Sequence, residues 1–261
     1  MAFRNRDGLI NSIWKTLGLY SAGEFVLFLI ITLIYSFPVL YFCLFLAVQT
    51  AFHLIIAGYL LCHRDFFFVI DTKTPLTVIN TANKISLFRI TMVPVLLFLI
   101  LGYPRYPVLP ALIPLLILTF LSDLADGFVS RKNHERTFIG QILDSSSDYL
   151  AVGLVAIFYY GLRLLPGWLF ILILGRLLFN PLGMLILFLT HKKLEPTTTV
   201  WGKITIASLM ILLVLEVLRL AVPRIGGICF YIEVAAGGIL GFSLIDKGIY
   251  FIKNFTRRRE D

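Results

Sequence analysis

Apolar residues dominate this chain in long runs separated by short polar breaks. Eight runs stand out, at about residues 19–36, 38–61, 85–102, 106–122, 146–161, 165–189, 204–221 and 227–246. A helix needs roughly 20 residues to cross a bilayer. The pattern therefore predicts an all-α integral membrane protein with about eight transmembrane helices. Ser36-Phe37-Pro38 separates the first two runs as a hairpin break. Pro94, Pro110 and Pro114 lie in the third and fourth runs, where loss of a backbone donor predicts kinks. Residues 62–84 form the longest polar connection, and its second half, Pro75 to Lys84, reads as a short amphipathic helix on the membrane surface.

Composition agrees with the pattern. The chain has 261 residues, 59% of them hydrophobic and 15% charged, whereas soluble domains run near 45–50% and about 25%. The three cysteines do not make a disulfide scaffold and read as packed side chains. A net charge of +8 would suggest a nucleic-acid partner in a soluble protein. Here the distribution of the charge removes that reading. In an eight-span arrangement only Arg105, Arg163, Arg219 and Arg224 fall on one side and Arg176 falls within a span; the rest of the 23 Lys and Arg lie on the other side. The excess predicts cytoplasmic termini. The opening MAFRNRDGLINSIWKTLG has no short apolar segment ending in a cleavage site, so no removed leader is expected.

The chemistry concentrates between residues 123 and 148. Asp123 and Asp126 are three apart, Asp144 and Asp148 four apart, and on helices either spacing puts both carboxylates on a common face. Four carboxylates at the ends of two apolar spans are costly unless compensated. A divalent cation compensates them, and all-oxygen ligands suit Mg2+ or Mn2+ rather than zinc. No cysteine or histidine recurs at zinc-ligand spacing. Gly127 and Gly140 permit close approach of a ligand or a second backbone, and Arg131 and Lys132 offer charge to a pyrophosphate.

These positions resemble the signature of the CDP-alcohol phosphatidyltransferase family, D-x2-D-G-x2-A-R, eight or nine residues, then G-x3-D-x3-D. The chain reads Asp123-x2-Asp126-Gly127-x2-Ser130-Arg131, eight residues, Gly140-x3-Asp144-x3-Asp148. Ser130 in place of alanine is the one departure. Asn83, Arg89 and Pro94 resemble the start of the family's first core span, and Gly202-Lys203-Ile204-Thr205 approximates its G-K-x-x-T pattern.

The resemblance implies a six-helix catalytic core over residues 75–250, preceded by an extension of two transmembrane helices over 1–74 and followed by a basic cytoplasmic tail over 251–261. It implies transfer of a phosphatidyl group from CDP-diacylglycerol to the hydroxyl of a small polar alcohol, releasing CMP. Glycerol 3-phosphate, serine, inositol phosphate and choline are the acceptors considered. Asp123, Asp126, Asp144 and Asp148 would hold two metal ions, Asp148 acting also as general base. Asp123, Gly127, Ser130, Arg131, Gly140 and Asn83 would bind CDP. Arg176, Lys203 and Arg89 would bind an acceptor or lipid phosphate. Membrane lipids and a second copy of the chain are the implied partners, with the active site on the cytoplasmic side.

Three alternatives stand beside this reading. CDP-choline or CDP-ethanolamine could donate to diacylglycerol instead. Arg176 could pair with Glu216 or Glu233 rather than bind substrate. Intramembrane charges, Glu24 among them, would also suit a transporter, although the acidic cluster sits at the membrane boundary rather than the midplane. Glycerol-phosphate-using members often read D-P-x-A-D-K at the last two aspartates; Asp144-Ser145-Ser146-Ser147-Asp148-Tyr149 departs from that and weakens the assignment of this acceptor. His53, near a span end, reads as an interfacial contact.

Overall fold

A computed structural model describes residues 4–132, 136–189, 200–222, 224 and 226–256. They form nine α-helices: α1 (Arg4–Tyr35), α2 (Val39–Cys62), α3 (Thr81–Thr91), α4 (Val93–Gly102), α5 (Leu109–Lys132), α6 (Phe138–Gly161), α7 (Gly167–Leu189), α8 (Val200–Ala221) and α9 (Gly226–Thr256). Two isolated β-bridges and no sheet occur among the described residues. Each apolar run lies on a helix, the third being shared by α3 and α4. Among the described residues, five helical segments are long and apolar enough to cross a bilayer, and three shorter apolar ones accompany them. The chain is a multi-pass membrane protein. The basic tail beyond Thr256 lies outside the described residues.

The breaks have local causes. Ser36 adopts φ 53°, and the Phe37 amide reaches back to the Thr32 carbonyl at 3.0 Å. That is the left-handed helix stop with its six-to-one bond, and Pro38 then opens α2. Arg163 repeats the device at φ 58°, with Leu164 bonded to the Tyr159 carbonyl at 2.9 Å. Pro94 interrupts the third run: α3 ends at Thr91, and α4 restarts after Met92 with proline in its first turn. Pro110 sits in the first turn of α5, where its missing amide has no helical partner to lose, and the helix continues through Pro114.

The surface helix expected over 75–84 does not form. Pro75 pairs with Phe68 across a tight turn in which Lys73 takes φ 54° and Val69 bonds Thr74 at 2.9 Å. Helix begins only at Thr81, where the Asn80 side chain accepts the Asn83 amide at 3.0 Å. Proline and β-branched Thr77, Val78 and Ile79 favour extended backbone ahead of that cap.

Two compact units make up the fold, Met1–Ala151 and Val152–Asp261. In the first, α1 and α2 form an antiparallel hairpin that packs on α3 and α4, and α5 runs along α3. Leu9, Ile13 and Leu17 recur every four residues on α1 and bury one stripe against Ile56 and Leu60 of α2 and Leu87 and Ile90 of α3. Deeper in the apolar run the hairpin carries a polar cluster. The Gln49 amide donates to Glu24 Oε2 at 3.3 Å and to the Ser21 carbonyl at 2.9 Å, and His53 Nε2 lies 3.7 Å from the same carboxylate. Thr91, at the end of α3, stands beside Glu24. His53 is thus buried in a hydrogen-bonded network rather than interfacial, its Nδ1 meeting the Gln49 carbonyl at 2.9 Å. In the second unit, α9 packs against both α7 and α8.

Candidate active site

Helix α3 presents Asn83, Ser86 and Arg89 at a spacing of three, all buried. Asn80 sets the phase of this face by capping the helix. Across from it, Thr137 precedes α6 and caps it: its hydroxyl oxygen accepts the Gly140 amide at 3.0 Å. The same hydroxyl donates to Asn83 Oδ1 at 2.9 Å. Gly140 leaves room for these two side chains, since a Cβ there would lie 2.5 Å from Asn83 Oδ1 and 2.6 Å from Thr137 Oγ1. Asn83 Nδ2 is buried and has no hydrogen-bond partner among the described residues.

One turn along α6, Asp144 Oδ1 accepts from Arg89 Nη2 at 2.9 Å; the Arg89 side chain is 0% exposed and that of Asp144 49%. The guanidinium thus approaches from inside the protein while the carboxylate opens outward. Asp148 follows on the next turn and is buried. Four of the residues expected from sequence, Asn83, Arg89, Gly140 and Asp144, come together between α3 and α6. Arg89 was expected at an acceptor phosphate; its described partner is Asp144. Thr137 escaped the sequence reading, although a threonine just ahead of an apolar run is a helix-start signal.

Asp123, Asp126, Gly127, Ser130 and Arg131 all lie on the C-terminal turns of α5, and their side chains lie outside the described residues. The same holds for Lys203 on the first turn of α8. Among the described residues no three His, Cys, Asp or Glu gather as a metal cluster. The described carboxylates, Asp144 and Asp148, are oxygen donors on successive turns of one helix, and this donor chemistry fits a hard divalent cation.

In the second unit, Arg176 of α7 is buried, and its Nε donates to Ser243 Oγ of α9 at 3.2 Å. Its Nη1 is buried without a hydrogen-bond partner among the described residues. Lys247, one turn beyond Ser243, is near enough for the two charges to interact. The alternative pairing of Arg176 with Glu216 or Glu233 is not made. Both glutamates turn to Arg219, at 3.4 Å and 3.5 Å.

Residues 79–239, the span from α3 into α9, match the CDP-alcohol phosphatidyltransferase family. The chain belongs to this family. It is also 32% identical over 128 residues to the CDP-diacylglycerol--glycerol-3-phosphate 3-phosphatidyltransferase of Aquifex aeolicus (strain VF5), covering 48% of this chain and 68% of that protein. The protein of the same name from Bacillus subtilis (strain 168) is 32% identical over 108 residues, 37% of this chain and 56% of its own length. The match to the Bacillus subtilis protein thus spans little more than half of it. The family match begins after α2, so the α1–α2 hairpin lies outside it.

Proposed function

We propose that this chain transfers the phosphatidyl group of CDP-diacylglycerol to the hydroxyl of a small polar alcohol and releases CMP, with glycerol 3-phosphate as the first acceptor to test. Family membership and the names of both relatives support the reaction. The observation that carries it is the junction of α3 and α6, where the signature positions Gly140 and Asp144 meet Asn83 and Arg89. The relatives favour glycerol 3-phosphate despite the Ser145–Ser147 run between the last two aspartates.

In this reading the acceptor oxygen attacks the phosphorus that bears the diacylglycerol. The bond from that phosphorus to the CMP oxygen breaks, and the acceptor proton passes to Asp148. Such transfers depend on positioning and charge neutralisation more than on covalent catalysis. Asp123, Asp126, Asp144 and Asp148 would hold Mg2+ or Mn2+, two ions in all, which when bound neutralise the pyrophosphate and the departing CMP. Arg89 holds the Asp144 carboxylate in place from the buried side. Asn83 and Gly140, with Asp123, Gly127, Ser130 and Arg131, are assigned to CDP. Arg176, supported by its buried Nη1, is assigned with Lys203 and Arg89 to the acceptor or lipid phosphate.

The same proposal includes eight transmembrane spans arranged as a two-helix extension over 1–74 and a six-helix core over 75–250. It places both termini, the tail over 251–261 and the active site in the cytoplasm, and includes a homodimer. The skew of Lys and Arg supports the orientation.

The test is CMP release by purified protein with Mg2+. CDP-diacylglycerol is supplied with each candidate alcohol, and CDP-choline or CDP-ethanolamine with diacylglycerol. Release that requires CDP-diacylglycerol and glycerol 3-phosphate, and is lost in Asp148→Ala, is the expected result. Release only from the CDP-choline or CDP-ethanolamine arm would reverse the donor assignment.

A further inference from the structure

A cavity of about 490 Å³ lies between α1 and the first turn of α3, lined among others by Asn11, Lys15, Leu19, Tyr20, Val78 and Lys84. Its size falls within the roughly 300–1,000 Å³ of small-molecule sites. Two lysines reach it from different helices, and no carboxylate is among its lining residues. Its walls are fastened together. The Tyr20 hydroxyl donates to the Lys84 carbonyl at 3.0 Å, and the Ile79 amide donates to Ser12 Oγ at 3.1 Å. Gly8 brings α1 close to the Thr77 carbonyl, which a Cβ would meet at 3.1 Å. The lysines thus flank a built recess between two elements that hydrogen-bond to each other.

The cavity also has a direction. Along α1 its lining passes from Asn11 and Lys15 to Leu19, where the apolar run begins. Leu19 shares one helical face with Val26, Ile30 and Leu33, all exposed apolar side chains. A recess with cationic groups at one end, opening onto an apolar stripe that continues into the bilayer, matches an amphiphile with an anionic head. It does not match a small soluble anion, which would gain nothing from the stripe.

We propose that this cavity binds the headgroup of an anionic phospholipid, with the phosphate between Lys15 and Lys84 and an acyl chain along the Leu19–Leu33 stripe of α1. The α1 wall with Lys15 lies outside the family match over residues 79–239 and Lys84 lies inside it, so the site joins what this chain adds to the family core. Lys84 adjoins Asn83, which faces Thr137 and Gly140, so lipid in the cavity bears on the outer side of the turn whose inner side meets α6. The inference does not depend on the proposed reaction, because its test measures binding without turnover.

The experiment is native mass spectrometry of the full chain in detergent, offered phosphatidylglycerol or phosphatidylcholine at matched concentrations. Wild type is expected to retain phosphatidylglycerol preferentially. Lys15→Gln with Lys84→Gln loses that preference, by about fivefold for each lysine removed. The Lys15→Arg/Lys84→Arg pair keeps it, which separates loss of charge from loss of fold. Equal retention of the two lipids by wild type, or an unchanged preference in the double Gln variant, would overturn the proposal. Displacement of the lipid by millimolar glycerol 3-phosphate would also overturn it, since the cavity would then be a site for a soluble phosphate.

Discussion

Gly140 and Asn83 meet so closely that even a methyl group cannot be placed between them: a Cβ at 140 falls 2.5 Å from Asn83 Oδ1. The Thr137 hydroxyl, at 2.6 Å from the same point, closes the other side. The Asn83 and Thr137 side chains thus pack directly on Gly140 and would have to shift to admit any larger residue there.

Gly140→Ala should push α6 away from α3. Overpacking of this kind costs about 1–3 kcal/mol, so the protein should still fold, with a lowered Tm in detergent. CMP release should fall by more than the stability loss explains, because Asp144 moves with the helix. Wild-type turnover in Gly140→Ala would mean that the close approach is incidental to the chemistry.

Arg89 and Asp144 should be energetically coupled. Removing one partner of a fully buried ion pair costs about 3–5 kcal/mol and of an exposed one about 0–1 kcal/mol; the Asp144 side chain is 49% exposed, so the effect should fall between the two. Each single variant should lower stability, and the double variant by less than the sum of the two. Thermal unfolding of both single variants and the double variant measures the coupling. Additive effects would show that the 2.9 Å contact contributes little.

Glu24 should matter to the α1–α2 hairpin. It accepts from Gln49 at 3.3 Å, lies 3.7 Å from His53 and stands beside Thr91 of α3. Interhelical hydrogen bonds in membranes average about 0.6 kcal/mol and reach about 1.7. Glu24→Ala should therefore lower stability by about 1–2 kcal/mol, and Glu24→Gln, which keeps an acceptor oxygen, by less. Unfolding in detergent of Glu24→Ala, Glu24→Gln and Gln49→Ala distinguishes a brace from a bystander. The same Tm for all three and for wild type would remove the role.

Asp148→Asn should abolish most CMP release while leaving the fold intact. The substitution keeps the volume and removes the basic oxygen, and loss of a general base costs about 10²–10⁴ in rate. Chelation with EDTA should silence the wild type, and Mg2+ or Mn2+ should restore it where Zn2+ does not. Full activity in EDTA would exclude the divalent-ion role assigned to the four aspartates.

Much of this protein was legible along the chain, for a specific reason. Membrane helices announce themselves by uninterrupted apolar length, and the eight runs all became helical because the bilayer leaves the backbone few other ways to satisfy its hydrogen bonds. The break at Met92 follows from the missing donor of Pro94, whereas α1 stops at the left-handed Ser36 and Pro38 then opens α2. The spacings Asp123–Asp126 and Asp144–Asp148 are properties of a single helix, so the sequence alone set each pair on α5 and on α6. The stretch before α3 was misread because the extended preferences of Pro75 to Ile79 outweighed its amphipathic pattern, and the cap at Asn80 delayed the helix.

Choice of partner was not legible. That Asn83 meets Thr137, that Arg89 reaches Asp144, and that Arg219 claims both Glu216 and Glu233 ahead of Arg176 were decided by tertiary structure. Periodicity tells which residues share a face of one helix. The rotation and register at which two helices pack come from side chains far apart in sequence, and those settle which of several available charges lies within 3 or 4 Å of another.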